Sequence, residues 1–141
     1  MERRLGPQHG PWRLGEGGMT LVWIACFAVA GGWLRYGQNL AVQRLLGRQF
    51  PWATLSINVL GSFLIGLLSI ALVSVWPVGA ALRTGIIVGG IGTYTTFSTF
   101  SLETLLLIED GQPLRGLSYV AASLILGLSA AFLGAVTASS L

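Results

Sequence analysis

Apolar residues in this chain come in four long blocks, separated by short clusters that hold most of the charges. No charged residue lies between Gln49 and Leu82, and none between Gly116 and Leu141. A helix needs about 20 apolar residues to cross the hydrocarbon core of a bilayer. The pattern therefore predicts four spans, over about 20–45, 51–76, 80–108 and 113–138. Pro51 suits the first turn of the second span, and Trp52 and Trp76 bracket that span as interfacial aromatics do. Pro77-Val78-Gly79 and Glu109-Asp110-Gly111 read as turns between spans. Residues 1–19 break the pattern: they are Gly-rich, carry Arg3, Arg4 and Arg13, and show no apolar period. They read as a poorly ordered tail ahead of a transmembrane domain over 20–141. Met19 is an alternative translation start. Leu21 to Ala30, ending in Ala28-Val29-Ala30, also has the look of a signal-peptide apolar core. Cleavage there would leave three spans and discard a helix suited to packing, so the segment reads as a retained span.

Composition agrees with a membrane-embedded, all-α chain. Charged residues make up 9% of the 141 residues and apolar ones 53%, against roughly 25% charged in soluble domains. The mean hydropathy is +0.75. Thirteen charges cannot coat a water-soluble domain of this size, and so apolar a chain is not disordered. One cysteine (Cys26) and one histidine (His9) exclude an intrachain disulfide and a Cys/His zinc site within one chain. The net charge of +3 is not a nucleic-acid footprint, because the arginines fall singly or in pairs between apolar blocks. With both termini on one side, that side holds Arg3, Arg4, Arg13 and Arg83. The opposite side holds Arg35, Arg44, Arg48 and Arg115. Four against four gives the positive-inside rule no preferred orientation, and a chain that inserts either way can pair with its inverted copy. A start at Met19 would weaken this, leaving one against four.

Polar groups within spans must pair or face a wet cavity. Thr54, Asn58 and Ser62 recur every four residues on one face of the second span, with Gly61 and Gly66 beside them. Ser62 and Gly66 read as a small-residue packing seam. The amide of Asn58 offers more donors and acceptors than such a seam commonly satisfies, so packing and pore lining stay open for it. In the third span, Gly85, Gly89, Gly90 and Gly92 precede the run Thr93-Tyr94-Thr95-Thr96, which is poor helix material. A mid-span break near Gly92–Thr95 would free backbone carbonyls, able to surround a small cation where two copies meet, or would be a bland kink. Phe97 and Phe100 share a face just beyond it. They are packing residues or, through the positive edges of their rings, partners for a small anion. Glu103 follows one turn later, as a proton carrier or a hydrogen-bond acceptor. Tyr119, Ser123 and Gly127 line one face of the fourth span.

The string Gly92-Thr93-Tyr94-Thr95-Thr96-Phe97-Ser98-Thr99-Phe100-Ser101-Leu102-Glu103 closely resembles the signature of the Fluc (CrcB) fluoride channels. Gly31-Gly32-Trp33-Leu34-Arg35-Tyr36 and Pro51-Trp52-Ala53-Thr54-Leu55-Ser56-Ile57-Asn58-Val59-Leu60-Gly61-Ser62 resemble the family's first two spans, in register. The resemblance covers about residues 20–138. It implies a four-helix, dual-topology antiparallel homodimer in the cell (inner) membrane, with the third helix broken and passive, fluoride-selective conduction through two narrow pores. By the same resemblance, Phe97 and Phe100 meet fluoride with ring edges and Asn58 is a hydrogen-bonding pore residue. Thr54, Thr99, Glu103, Tyr119 and Ser123 are polar-track or supporting positions, and Arg35 sits at the mouth. Gly92 and Thr95 offer carbonyls to a structural sodium ion at the dimer interface. Gly127 departs from the pattern, standing where relatives can carry a further hydroxyl.

A neutral lining suits such an ion. Stripping a small anion of water costs tens of kcal/mol by Born estimates, so a pore must supply several donors, each weak enough to release it. Two rival functions fit a chain of this kind. A proton-coupled small multidrug exporter needs a carboxylate deep in the bundle. The first span has none, and Glu103 lies about 8 Å from the end of its span at 1.5 Å per residue. A non-transporting accessory subunit would tolerate other bulky apolar residues at Phe97 and Phe100. No paired carboxylates, nucleophile–base set or phosphate loop points to an enzyme.

Overall fold

The computed structural model describes residues 14–141, with side chains from Gly17 onward. The described residues are helical apart from short connections: α1 (Leu14–Leu46), α2 (Trp52–Ser74), α3 (Ala80–Thr84), a π-helical segment (Gly85–Ile91), α4 (Gly92–Tyr94), α5 (Phe97–Glu109) and α6 (Pro113–Ser139). Three stretches are long and apolar enough to cross a membrane: Gly17–Leu46, Trp52–Ser74 and Pro113–Ser139. They match the first, second and fourth expected spans. The expected third span is instead made of shorter helical pieces. Residues 14–19, expected in the tail, belong to α1, because extending a formed helix is far easier than nucleating one. The remainder of that tail, residues 1–13, lies outside the described residues. At 1.5 Å per residue the 33 residues of α1 reach about 50 Å, well beyond the hydrocarbon thickness.

The connections use local backbone chemistry. Gly47 and Gly111 take positive φ values of 77° and 73° where α1 and α5 end, a conformation glycine adopts without steric penalty. Gly111 thus completes the turn expected at Glu109-Asp110-Gly111.

Helix packing is governed by small residues that let backbones touch. The largest interface joins α2 and α6. A Cβ on Gly66 would lie 2.0 Å from the Ala131 carbonyl oxygen, and one on Gly134 would lie 2.1 Å from that of Phe63. The Ser62–Gly66 seam expected from sequence is this contact. A second close approach joins α1 to the π-helical segment, where a Cβ on Gly89 would stand 2.4 Å from the Ile24 carbonyl oxygen. In that segment the amide of Gly92 reaches back to the Ile87 carbonyl, the i+5 pattern of a π turn. Tyr119 and Ile57 are the largest side chains fully buried within the protomer. Many large apolar side chains of α1 and α6 lie on the outside, as expected where lipid or another protein replaces water.

Candidate functional site

Helicity stops at Tyr94 and resumes at Phe97. Thr95 (φ −79°, ψ 163°) and Thr96 (φ −154°, ψ 117°) are extended. Thr96 is the N-cap of α5, its hydroxyl accepting from the Thr99 amide at 3.2 Å, as a Thr directly before a helical period favours. The Thr96 backbone is held from α2. Asn58 Nδ2 donates to the Thr96 carbonyl at 3.0 Å, and the Thr96 amide donates to Asn58 Oδ1 at 2.9 Å. This reciprocal pair replaces ladder bonds that the extended backbone cannot make. It uses the amide oxygen of Asn58 and one of its N–H donors, and leaves the second N–H without a partner among the described residues.

The same arrangement leaves two carbonyls outside the helical ladder. In a continuous helix the Thr96 amide would serve the Gly92 carbonyl and the Thr99 amide would serve that of Thr95. Both amides donate elsewhere, to Asn58 Oδ1 and to Thr96 Oγ1. Gly92 and Thr95 thereby keep oxygen lone pairs beside the interruption. Among the described residues no group of three or more His, Cys, Asp or Glu side chains could hold a metal ion, so a cation held here would rely on carbonyl oxygens.

Below the interruption a cavity of about 420 Å³ is lined by Arg35, Asn39, Gln43, Thr54, Thr96, Thr99 and Glu103, with Gly32, Tyr36 and Ile57. It brings together four site residues expected from sequence: Arg35, Thr54, Thr99 and Glu103. A larger polar cavity of about 750 Å³ lies toward the α1–α2 and α5–α6 connections, with Arg48, Asp110, Gln112 and Arg115 on its wall. Glu103 and Gln43 line both cavities and so stand at their junction. Each oxygen of the Glu103 carboxylate is engaged: Oε1 accepts from Thr54 at 2.9 Å and Oε2 from Tyr119 at 2.8 Å. The hydroxyl protons of Thr54 and Tyr119 are therefore directed at the carboxylate.

The aromatic residues form a continuous string. Phe97 and Phe100 have ring centroids 5.7 Å apart, Phe100 and Tyr119 5.2 Å, and Tyr119 and Phe50 5.6 Å, the last edge to face. Tyr119 is wholly buried, whereas Phe97 is 79% exposed. The ring of Phe97 therefore contributes little to the core of its own protomer. Ser123, one turn along α6 from Tyr119, has a buried hydroxyl with no hydrogen-bond partner among the described residues. Phe97 and Ser123 do not line the Arg35–Glu103 cavity.

Several polar residues here were not singled out from sequence. Asn39 and Gln43 follow the expected Arg35 at intervals of four residues and line the same cavity, and Gln43 Nε2 donates to Asn39 Oδ1 at 3.0 Å. That spacing on an otherwise apolar helix was a readable signal. Gln38 bridges Tyr94 and Ser56, which periodicity alone does not reveal.

The arrangement offers hydroxyls, carboxamides and aromatic edges, with Arg35 on the narrower cavity, Arg48 and Arg115 on the wide one, and the carboxylates of Glu103 and Asp110 beside them. It is chemically suited to receiving a small anion. Comparison with known proteins points the same way. The profile described as CrcB-like protein, Camphor Resistance (CrcB), matches residues 22–135. A protein of Acidithiobacillus ferrooxidans named fluoride-specific ion channel FluC is 58% identical over 116 residues, covering 82% of this chain and 93% of that protein. One of the same name from Magnetococcus marinus is 45% identical over 118 residues, covering 84% and 96%. Another from Thermus thermophilus is 45% identical over 111 residues, covering 79% and 88%.

Proposed function

The chain belongs to the CrcB-like family, and from that premise we propose that it is a fluoride-selective channel, not an enzyme. It lets fluoride leave the cell passively and so lowers cytoplasmic fluoride. The observation that carries the reading is the junction of an interrupted helix with a polar cavity, in a chain 58% identical to a relative named fluoride-specific ion channel FluC. Fluoride is small and strongly hydrated, so selection requires donors that replace its water without trapping it.

The residues divide the work by position. Arg48 and Arg115 on the wall of the wide cavity, and Arg35 on the wall of the narrower one, raise the local concentration of anions. Glu103 holds the Thr54 and Tyr119 hydroxyls in place. The free N–H of Asn58, the Thr99 hydroxyl, the unpartnered Ser123 hydroxyl and the edges of Phe97 and Phe100 serve as successive donors. The third span is a single membrane crossing broken at Thr95–Thr96, where non-helical backbone is shielded by neighbouring protein.

The working unit is an antiparallel, dual-topology homodimer with two pores in the cell (inner) membrane. Four arginines expected on each side support insertion in both orientations. The exposed ring of Phe97 supports a partner surface that completes the pore. A structural sodium ion at the two-fold axis fits the chain's own residues, since Gly92 and Thr95 present carbonyls released from the ladder. The ion would supply a fixed positive charge between two interrupted helices. Two copies give four such oxygens, a hard-donor set suited to a small cation.

Purified protein in fluoride-loaded liposomes tests the proposal. Fluoride efflux should begin on adding a potassium ionophore and need no pH gradient. Efflux that requires a proton gradient, or that carries organic cations, would overturn it in favour of an exporter.

A further inference from the structure

Tyr94 is the last residue of α4 and 6% exposed. Its ring lies over Gly61 of α2: a Cβ on that glycine would be 3.4 Å from Tyr94 Cδ1 and 2.2 Å from Thr95 Cγ2. The phenol hydroxyl donates to Gln38 Oε1 on α1. Gln38 Nε2 donates to Ser56 Oγ on α2 at 3.1 Å, and the Ser56 hydroxyl donates to the Ala53 carbonyl at 2.9 Å. Three helical elements are thus tied together immediately before the extended pair Thr95–Thr96. Immediately after Thr95, Asn58 grips the Thr96 backbone. The interruption is held on both flanks.

The state competing with the interruption is an unbroken helix, in which the Thr96 amide returns to the Gly92 carbonyl and the Thr99 amide to that of Thr95. That state would remove both free carbonyls. The Asn58–Thr96 bonds exist only in the interrupted geometry and oppose it, and the Tyr94–Gln38–Ser56 chain fixes the helix end from which the extended pair departs. Gln38 and Tyr94 also border an apolar groove lined by Phe27, Trp33, Leu60 and Leu64. With no water in such surroundings, each polar group depends on the other for its partner.

We propose that the Tyr94–Gln38–Ser56 chain is a positioning device that keeps the Gly92 and Thr95 carbonyls presented to the central cation. The inference rests on the sodium reading given above and names the residues on which that site's geometry depends. Neither Gln38 nor Tyr94 lines the Arg35–Glu103 cavity. Their effect passes through the backbone.

The test is a sodium titration of the thermal melting midpoint of the purified dimer, with a bulky organic cation holding ionic strength constant. Tyr94→Phe keeps the ring on Gly61 and removes only the hydroxyl. Tyr94→Phe and Gln38→Leu should each raise the sodium concentration for half-maximal stabilisation roughly tenfold, the scale of one lost hydrogen bond that strands its partner. The double variant should shift no further than Gln38→Leu alone, because both changes cut the same bond. Ser74→Ala, at the far end of α2, should leave the titration unchanged. If the variants melt lower by the same amount at every sodium concentration, the inference falls while the sodium reading stands. If the unaltered protein shows no response to sodium, the sodium reading falls and takes this inference with it.

Discussion

Tyr119 has no exposed surface, yet its hydroxyl points at a carboxylate. Glu103 is tolerable in such a place because two hydroxyls donate to it, one to each oxygen. Removing either donor costs the half-buried carboxylate a charge-assisted hydrogen bond, about 1.5–3 kcal/mol. Tyr119→Phe and Thr54→Val should therefore lower the melting temperature in detergent. An unchanged melting curve would mean that the hydroxyls are not held by Glu103. Phe97 is the opposite case. Because its ring is 79% exposed in the protomer, Phe97→Ile should change protomer stability by less than about 0.5 kcal/mol while reducing fluoride flux at least severalfold. Flux equal to that of the unaltered protein would return Phe97 to a packing role, as in an accessory subunit. Legibility at this scale was uneven. Phe97, Phe100 and Glu103 stood out through a dense motif, and Asn58 because an amide in a span needs partners. Gln38, Asn39 and Gln43 were passed over in a helix whose other residues are mostly apolar or small. Their roles depend on which neighbour each one meets, and that is a property of the folded bundle.

Among the elements, long apolar blocks gave α1, α2 and α6 within a few residues, since hydrocarbon thickness leaves little freedom in length. Glycine and β-branched threonine marked the third block as weak helix. They placed a break near Gly92–Thr95; the extended residues are Thr95 and Thr96, because Asn58 in another helix supplies the bonds that hold the Thr96 backbone. The π turn at Gly85–Ile91 was hidden, as it accompanies the contact between Gly89 and the α1 backbone. The small-residue seam of α2 was readable from Ser62 and Gly66, and its partner surface on α6 was not. Gly134→Ala tests that seam. Its new methyl would fall 2.1 Å from the Phe63 carbonyl oxygen, so α2 and α6 must separate, at about 1–3 kcal/mol by analogy with overpacked cores. Gly17→Ala, with nothing within 4 Å, should have no comparable effect. Equal melting points for the two variants would refute backbone contact as the basis of the α2–α6 interface.

For the molecule as a whole, the proposed assembly would cover surfaces that the single chain leaves open. Its aromatic string ends at an exposed Phe97, and its outer faces carry large apolar side chains. Four arginines expected on either side would remove the usual bias in orientation. A tag at the C-terminus should accordingly be detected on both sides of the membrane in one population of cells, and crosslinking should capture inverted pairs. Tags confined to one side would exclude the dual-topology dimer while leaving family membership intact. The central claim is that neutral donors replace the hydration of fluoride and of no larger halide. Its most direct test is the reversal potential of the purified channel in a planar bilayer, with a fluoride gradient and equal chloride on both sides. Current should reverse at the fluoride equilibrium potential, and a reversal at zero, where chloride is balanced, would contradict the account.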